Sequence, residues 1–242
     1  MRNKLGLYLA TCCLLSISCD DDNGNVVRKG FFKQGLGVTD VDGNKYASII
    51  LNEGLLQGKD AQEWMTSNLR TTKYSNGDPI PNVTDDSWPD LTTGAWCYYN
   101  NNPAMDEAYG KLYNGYAAAD SRNICPAGWR LPSSFELYML ATFLGGEEVA
   151  GGALKEAGTD HWVTPNSGAS DSTGLSFLPG GHREGYIYDY FDKAGRLGRY
   201  WADEHLHGNA NNFYELSNEN SKLAYGGTIV SGYGFSCRCI KD

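Results

Sequence analysis

From Leu175 to Ile240 the chain alternates glycine-rich turns with short aromatic segments such as Tyr186-Ile187-Tyr188 and Phe235-Ser236-Cys237. That punctuation favours short antiparallel strands over long helices. Trp64 to Trp96 has the same character, broken by Asn76-Gly77-Asp78-Pro79 and by Asp85 to Pro89. One helix is well signalled. Ser133 and Glu136 make a capping box just after Pro132, Leu137, Leu140, Ala141 and Leu144 recur at helical spacing, and Gly145-Gly146 supply the stop. Asp42-Gly43-Asn44, between Val38 and Tyr46, predicts a β-hairpin. The fold class is therefore α+β, with few helices, many short antiparallel strands and long loops. With 41% apolar and 20% charged residues, the chain buries a core and is not disordered for most of its length. Its net charge of −9 opposes a phosphate backbone, which excludes nucleic acid as a partner.

The N-terminus sets the compartment. Arg2 and Lys4 precede an apolar stretch, Leu5 to Ile17, shorter than the roughly 20 residues of a spanning helix. Residues 1–18 read as a secretory signal peptide. The stretch ends Ser16-Ile17-Ser18-Cys19, which resembles the lipobox of bacterial lipoproteins, where the cysteine thiol is diacylated and the signal is cut before it. Cys19 is expected to be lipidated, and several acyl chains at about 0.8 kcal/mol per buried methylene anchor firmly where one does not. An ordinary secreted protein with a cysteine at its cleavage site is the alternative. Asp20-Asp21-Asp22 would form a solvated tether, because like charges repel. Acidic residues directly after a lipidated cysteine also resemble the surface-export signals of some Gram-negative lipoproteins. The expected organisation is a tether over residues 19–37 and a domain over 38–242, anchored by lipid in the outer membrane and exposed at the cell surface.

Signal cleavage removes Cys12 and Cys13 and lipid consumes Cys19, leaving Cys97, Cys125, Cys237 and Cys239 in an oxidising compartment. Two disulfides are the default there. Of the three pairings, Cys237 with Cys239 is disfavoured because a one-residue gap strains the geometry. A four-thiolate zinc site is disfavoured because Cys97 and Cys125 are far apart in sequence. An EF-hand counted from Asp40 fails, since its glycine position is Lys45 and its bidentate glutamate position is Leu51. His205 and His207 would share one strand face but lack a third ligand at metal-site spacing. No metal and no cofactor are expected. Asp189, Asp192, Asp203 and Glu204 would serve glycoside hydrolysis only if two met at the required separation, and loop carboxylates are more commonly solvated. No phosphate loop ending in Lys-Ser or Lys-Thr and no Gly-x-Ser-x-Gly elbow is present. A non-catalytic chain is expected.

Other motifs accumulate in order: Asn68-Leu69-Arg70-Thr71-Thr72-Lys73-Tyr74, Gly94-Ala95-Trp96-Cys97-Tyr98-Tyr99, Tyr109-Gly110-Lys111-Leu112-Tyr113-Asn114, Cys125-Pro126-Ala127-Gly128-Trp129-Arg130-Leu131-Pro132-Ser133, Leu178-Pro179-Gly180-Gly181 and Gly234-Phe235-Ser236-Cys237-Arg238-Cys239. Over roughly residues 38 to 242 the chain resembles the Fibrobacter succinogenes major paralogous domain, a family of exported and lipid-anchored bacterial proteins. The resemblance implies a fold similar to C-type lectins and to the formylglycine-generating, sulfatase-modifying domain. It implies no particular activity. It also implies a disulfide between Cys125 and Cys239, because the family sets one cysteine in its last strand opposite the Cys-Pro-x-Gly-Trp cysteine. Cys97 would then pair with Cys237, although the crossed pairing stays open. Formylglycine-generating enzymes use a C-x4-C pair, and Cys237-Arg238-Cys239 departs from it, which weighs against that oxidase chemistry.

Arg199-Tyr200-Trp201-Ala202-Asp203-Glu204-His205 replaces the aromatic, serine-rich stretch that the family commonly carries here. Tyr200, Trp201 and Tyr214 would offer stacking faces, and Asp203, Glu204 and Asn211 acceptors and donors, the mix that a polyhydroxylated ligand requires. The expected function is a surface-anchored binding module for glycan or protein, acting in adhesion or capture. A structural cell-surface or appendage component without a ligand site is the alternative, with a diverged hydrolase or oxidase behind it. The competing reading makes the aromatics core, and burial of Trp201 decides between the two.

Overall fold

The computed structural model describes residues 32–51, 61–185, 189–203, 211–229 and 231–242. Strands Phe32–Gln34 (β1), Val38–Thr39 (β2), Lys45–Tyr46 (β3), Ser48–Leu51 (β4) and Gln62–Met65 (β5) come first. Trp96–Cys97 (β6), helix Asp106–Tyr109 (α1), Leu112–Asn114 (β7), helix Gly115–Ala118 (α2) and Trp129–Arg130 (β8) follow. Helices Ser134–Phe143 (α3) and Glu147–Leu154 (α4) then lead to His182–Gly185 (β9), Asp189–Asp192 (β10), Leu197–Ala202 (β11), Asn211–Ser217 (β12), Leu223–Ile229 (β13), Gly234–Phe235 (β14) and Ile240–Lys241 (β15).

These strands form sheets ordered β1-β4-β5-β15-β8, β10-β9-β14-β7-β6 and β11-β12-β13, plus the hairpin β2-β3. Neighbours within each sheet run antiparallel. The end of the chain is central: β14 lies between β9 and β7, and β15 lies between β5 and β8. The compact unit spans Phe32–Asp242. At its start β1 pairs with β4, and the Phe32 ring packs 5.9 Å from that of Phe143. Residues 1–31, with the expected signal segment and Cys19, lie outside the described residues, within which no helix is long and apolar enough to cross a membrane.

Local signals produce the elements they predict. At α3 the Ser133 hydroxyl accepts from the Glu136 amide at 3.3 Å, and the Glu136 carboxylate accepts from the Ser133 amide at 2.9 Å. Arg130 clamps the same carboxylate at 2.8 and 2.7 Å, so the Glu136 carboxyl is held below its usual range despite burial. Gly145 and Gly146, at φ 104° and 107°, follow the end of the helix in the conformation that glycine adopts most readily. In the hairpin, the Asp40 carboxylate accepts from the amides of Asp42 and Asn44, both at 2.9 Å, and from the Tyr46 hydroxyl at 2.7 Å. The Asp-rich loop is thus occupied by its own turn.

The core is aromatic. On one face of β11-β12-β13, Tyr200 and Tyr214 stack at 5.1 Å beneath Leu137, Leu140, Ala141, Ala150 and Leu154 of the two longer helices. A second cluster joins Trp129, Trp201 and Phe235 around Cys125 and Cys239. Cys125 and Cys239 form a disulfide that spans 114 residues of sequence. Cys97 and Cys237 do not pair, which corrects the second expected bridge. Cys97 is enclosed with Trp88, Ala95 and Leu112, whereas Cys237 belongs to the disulfide cluster, and both are free thiols.

Among the described residues, several buried cations are interior ties. Lys155 donates to the carbonyls of Ser167, Ser217 and Asn220 at 3.0, 2.7 and 2.9 Å. Arg183 meets both oxygens of Asp189 at 2.6 Å and lies over the Trp88 ring. Arg238 donates to the Asn68 side chain at 2.7 Å and to the Leu175 carbonyl, stacked on Phe177.

Candidate binding groove

The stacking residues expected near the end of β11 are interior. Tyr200, Trp201 and Tyr214 are each 0% exposed. Their polar atoms serve the fold: the Trp201 indole donates to the Tyr113 carbonyl at 2.7 Å, and the Tyr200 hydroxyl donates to the Leu178 carbonyl at 2.6 Å. Adjacent strand residues face opposite sides of a sheet. Here both sides of β11 are covered, Tyr200 lying in the helix-covered cluster and Trp201 in the Phe235 cluster. No ligand ring can reach them. Asp203 is half-buried, and its amide donates to the Pro132 carbonyl at 2.8 Å, beside the entrance to α3. Glu204, His205, His207 and the side chain of Asn211 lie outside the described residues.

A different surface collects aromatic and polar groups. Because Leu137, Leu140 and Ala141 turn the inner face of α3 to the core, Phe135 and Tyr138 stand outward, 53% and 52% exposed. Tyr138 and Ser134 form one wall of an open groove of about 330 Å³, with Glu147 of α4, Asn212 of β12, and Tyr225, Gly226 and Gly227 of β13 completing it. Tyr225 pairs across the sheet with buried Tyr214. Burial and the Glu147 carboxylate push its phenol up, so it stays protonated, and its enclosed hydroxyl has no hydrogen-bond partner among the described residues. Glu147 sits in the first turn of α4, where a carboxylate is favoured by the helix dipole.

The strand floor is irregular at this point. Phe213 pairs with Gly226 and Asn211 with Ile229, so Gly227 and Thr228 together oppose Asn212 alone. This is a β-bulge. The two glycines have different causes. A Cβ at Gly226 would lie 2.1 Å from the Phe213 ring, so packing excludes any side chain. At Gly227 the nearest atom would be Asn212 Oδ1 at 3.4 Å, an ordinary contact, and the backbone is not in the left-handed region. Among the described residues, no three His, Cys, Asp or Glu side chains converge as metal ligands.

The sequence reading missed this groove, which two features of the sequence could have marked. Phe135 and Tyr138 are three apart on a well-capped helix, opposite its apolar face, and Gly226-Gly227 interrupts an otherwise regular strand. Asn212 and Tyr225 carried no such mark.

Fold and site together define a domain of few helices and many antiparallel strands in several sheets, closed by a disulfide from Cys125 to Cys239 just before the last strand and bearing an aromatic groove where two helices meet a sheet edge. The chain belongs to the Fibrobacter succinogenes major domain family, whose match spans residues 60–241. That span contains the whole groove and both disulfide cysteines, while β1 and β4, which extend the sheet from β5, precede it. No curated protein and no solved structure matches the chain.

Proposed function

We propose that this chain is a lipid-anchored protein of the outer membrane, displayed at the cell surface, whose globular unit is a non-catalytic binding module for glycan or protein in adhesion or capture. The groove carries this reading: Tyr138 stands half-exposed at its wall, with Phe135 on the same helix, beside an amide, a carboxylate and bare strand backbone. Grouped exposed apolar side chains with a few polar neighbours are the usual make-up of an interaction surface. The anchor rests on Ser16-Ile17-Ser18-Cys19 and on the acidic residues after it. A C-type-lectin-like arrangement is part of the proposal, supported by short antiparallel strands, few helices and the family membership.

The test compares cells producing the native chain with cells producing the double variant Phe135→Ser, Tyr138→Ser, on glycan-coated and protein-coated surfaces. Adhesion should fall with the variant at equal surface level and equal melting temperature. Equal adhesion would favour a structural surface component instead.

A further inference from the structure

We propose that the groove between α3 and β13 takes a neutral pyranose glycan, one sugar ring against the Tyr138 phenol and its hydroxyls over the bare backbone at Gly227. This rests on the binding-module reading and adds the class of ligand.

Gly227 is the first observation. A strand interior normally disfavours glycine, which loses the most conformational freedom on folding and packs nothing. Gly226 is explained by the Phe213 ring, but neither a clash nor a left-handed backbone requires glycine at 227. The residue is also exposed and lines the groove. A bulge and the close approach of a ligand to the backbone are both recognised reasons for glycine in a strand, and at this exposed bulge position the missing side chain leaves the backbone open to a ligand.

The bulge decides between two kinds of ligand. β13 is the outer strand of its sheet, and an extended peptide could in principle add beside it. Such addition needs a regular ladder edge, and bulges are a device by which edges resist it. Here the irregularity falls at Gly227, which lines the groove, and at the following Thr228. A compact ligand read by single polar groups suits this floor better than a strand. Beside the Tyr138 face the lining carries a hydroxyl on Ser134, an amide on Asn212, a carboxylate on Glu147 and the Tyr225 phenol, whose hydroxyl has no hydrogen-bond partner among the described residues. Hydroxyls that both donate and accept match that set, and a flat phenol matches the apolar face of a sugar ring. The volume, about 330 Å³, is at the small end for ligand sites and suits a short rigid unit. Glu147 at the wall and a chain charge of −9 disfavour acidic sugars.

The full chain, purified in detergent, is applied to a glycan array, and the best-bound oligosaccharide is titrated against the native chain, Tyr138→Ala and Gly227→Val. Neutral glycans should bind, and each variant should weaken binding at least tenfold with an unchanged melting temperature. Valine suits a strand, and the nearest atom to a Cβ at this position is Asn212 Oδ1 at 3.4 Å. If it nonetheless unfolds the chain, Gly227→Ala is read the same way. Binding of acidic glycans alone, no binding of neutral glycans, or full affinity in the folded Gly227 variant would each overturn the inference. A blank array together with groove-dependent adhesion to protein-coated surfaces sinks the glycan class and leaves the binding module standing. Failure of both removes both.

Discussion

His182 shows how much one ring's surroundings can contribute. It is 4% exposed on β9, 6.2 Å from the Phe235 ring, and its Nδ1 has no hydrogen-bond partner among the described residues. Burial, with Arg199 and Lys193 nearby and Asp192 opposing them, pushes the imidazole down to about 4, and Glu184 is no closer than 4.0 Å. Its ordinary value is 6.5, so on acidification the unfolded chain takes up the proton first. Stability linked to His182 is therefore fully present above pH 6.5 and is lost as pH falls towards 4, by about 3 kcal/mol at most, at 1.36 kcal/mol per pH unit. Urea unfolding of the native chain and of His182→Phe at pH 7, 5.5 and 4 checks this. The gap between the two should change in favour of the variant on acidification, and parallel curves would reject it. Nothing in the local sequence marks this histidine as interior. Its burial depends on β14 lying beside β9, a contact between segments about fifty positions apart.

At the level of elements, what depends on neighbouring residues was legible and what depends on layering was not. The α3 capping box and the Asp42-Gly43-Asn44 turn involve residues a few positions apart, and both form as read. Tyr200 and Trp201 look like surface aromatics beside charged residues, yet helices cover one side of β11 and the Phe235 cluster the other. Which strand acquires two covers is a property of the assembled molecule. The second cysteine pair was misread for the same reason: Cys97 and Cys237 end in separate clusters. Ser133→Ala should cost about 1 kcal/mol by removing the cap acceptor, measured by thermal or urea unfolding. Because Ser134 and Tyr138 stand on the first turns of that helix, the same variant should also weaken any ligand held in the groove.

For the whole molecule, the long-range closure is the Cys125–Cys239 bridge. In the chain-entropy model a loop of 114 residues is worth about 5 kcal/mol, so Cys125→Ala, Cys239→Ala should lower unfolding stability by up to about 5 kcal/mol. Alkylation without reduction gives a second check. Burial pushes the Cys97 thiol up to about 12 and raises that of Cys237 further, so neither should react in the folded chain, and both should react after denaturation. A peptide linking Cys97 to Cys237 would contradict the separate clusters. Cys19→Ser should move the chain out of the membrane fraction, or leave it unprocessed, and normal fractionation of that variant would reject the lipid anchor. Suppose, finally, that the chain is held at its N-terminus while a ligand pulls at the groove. Tension then enters through β1, three residues at the sheet margin, bonded to β4 and leaning on the Phe143 ring. That strand is the first to peel. Behind it, β15 sits mid-sheet with Cys239 bridged to Cys125, so the load yields at a short, renewable fuse and leaves the grip intact.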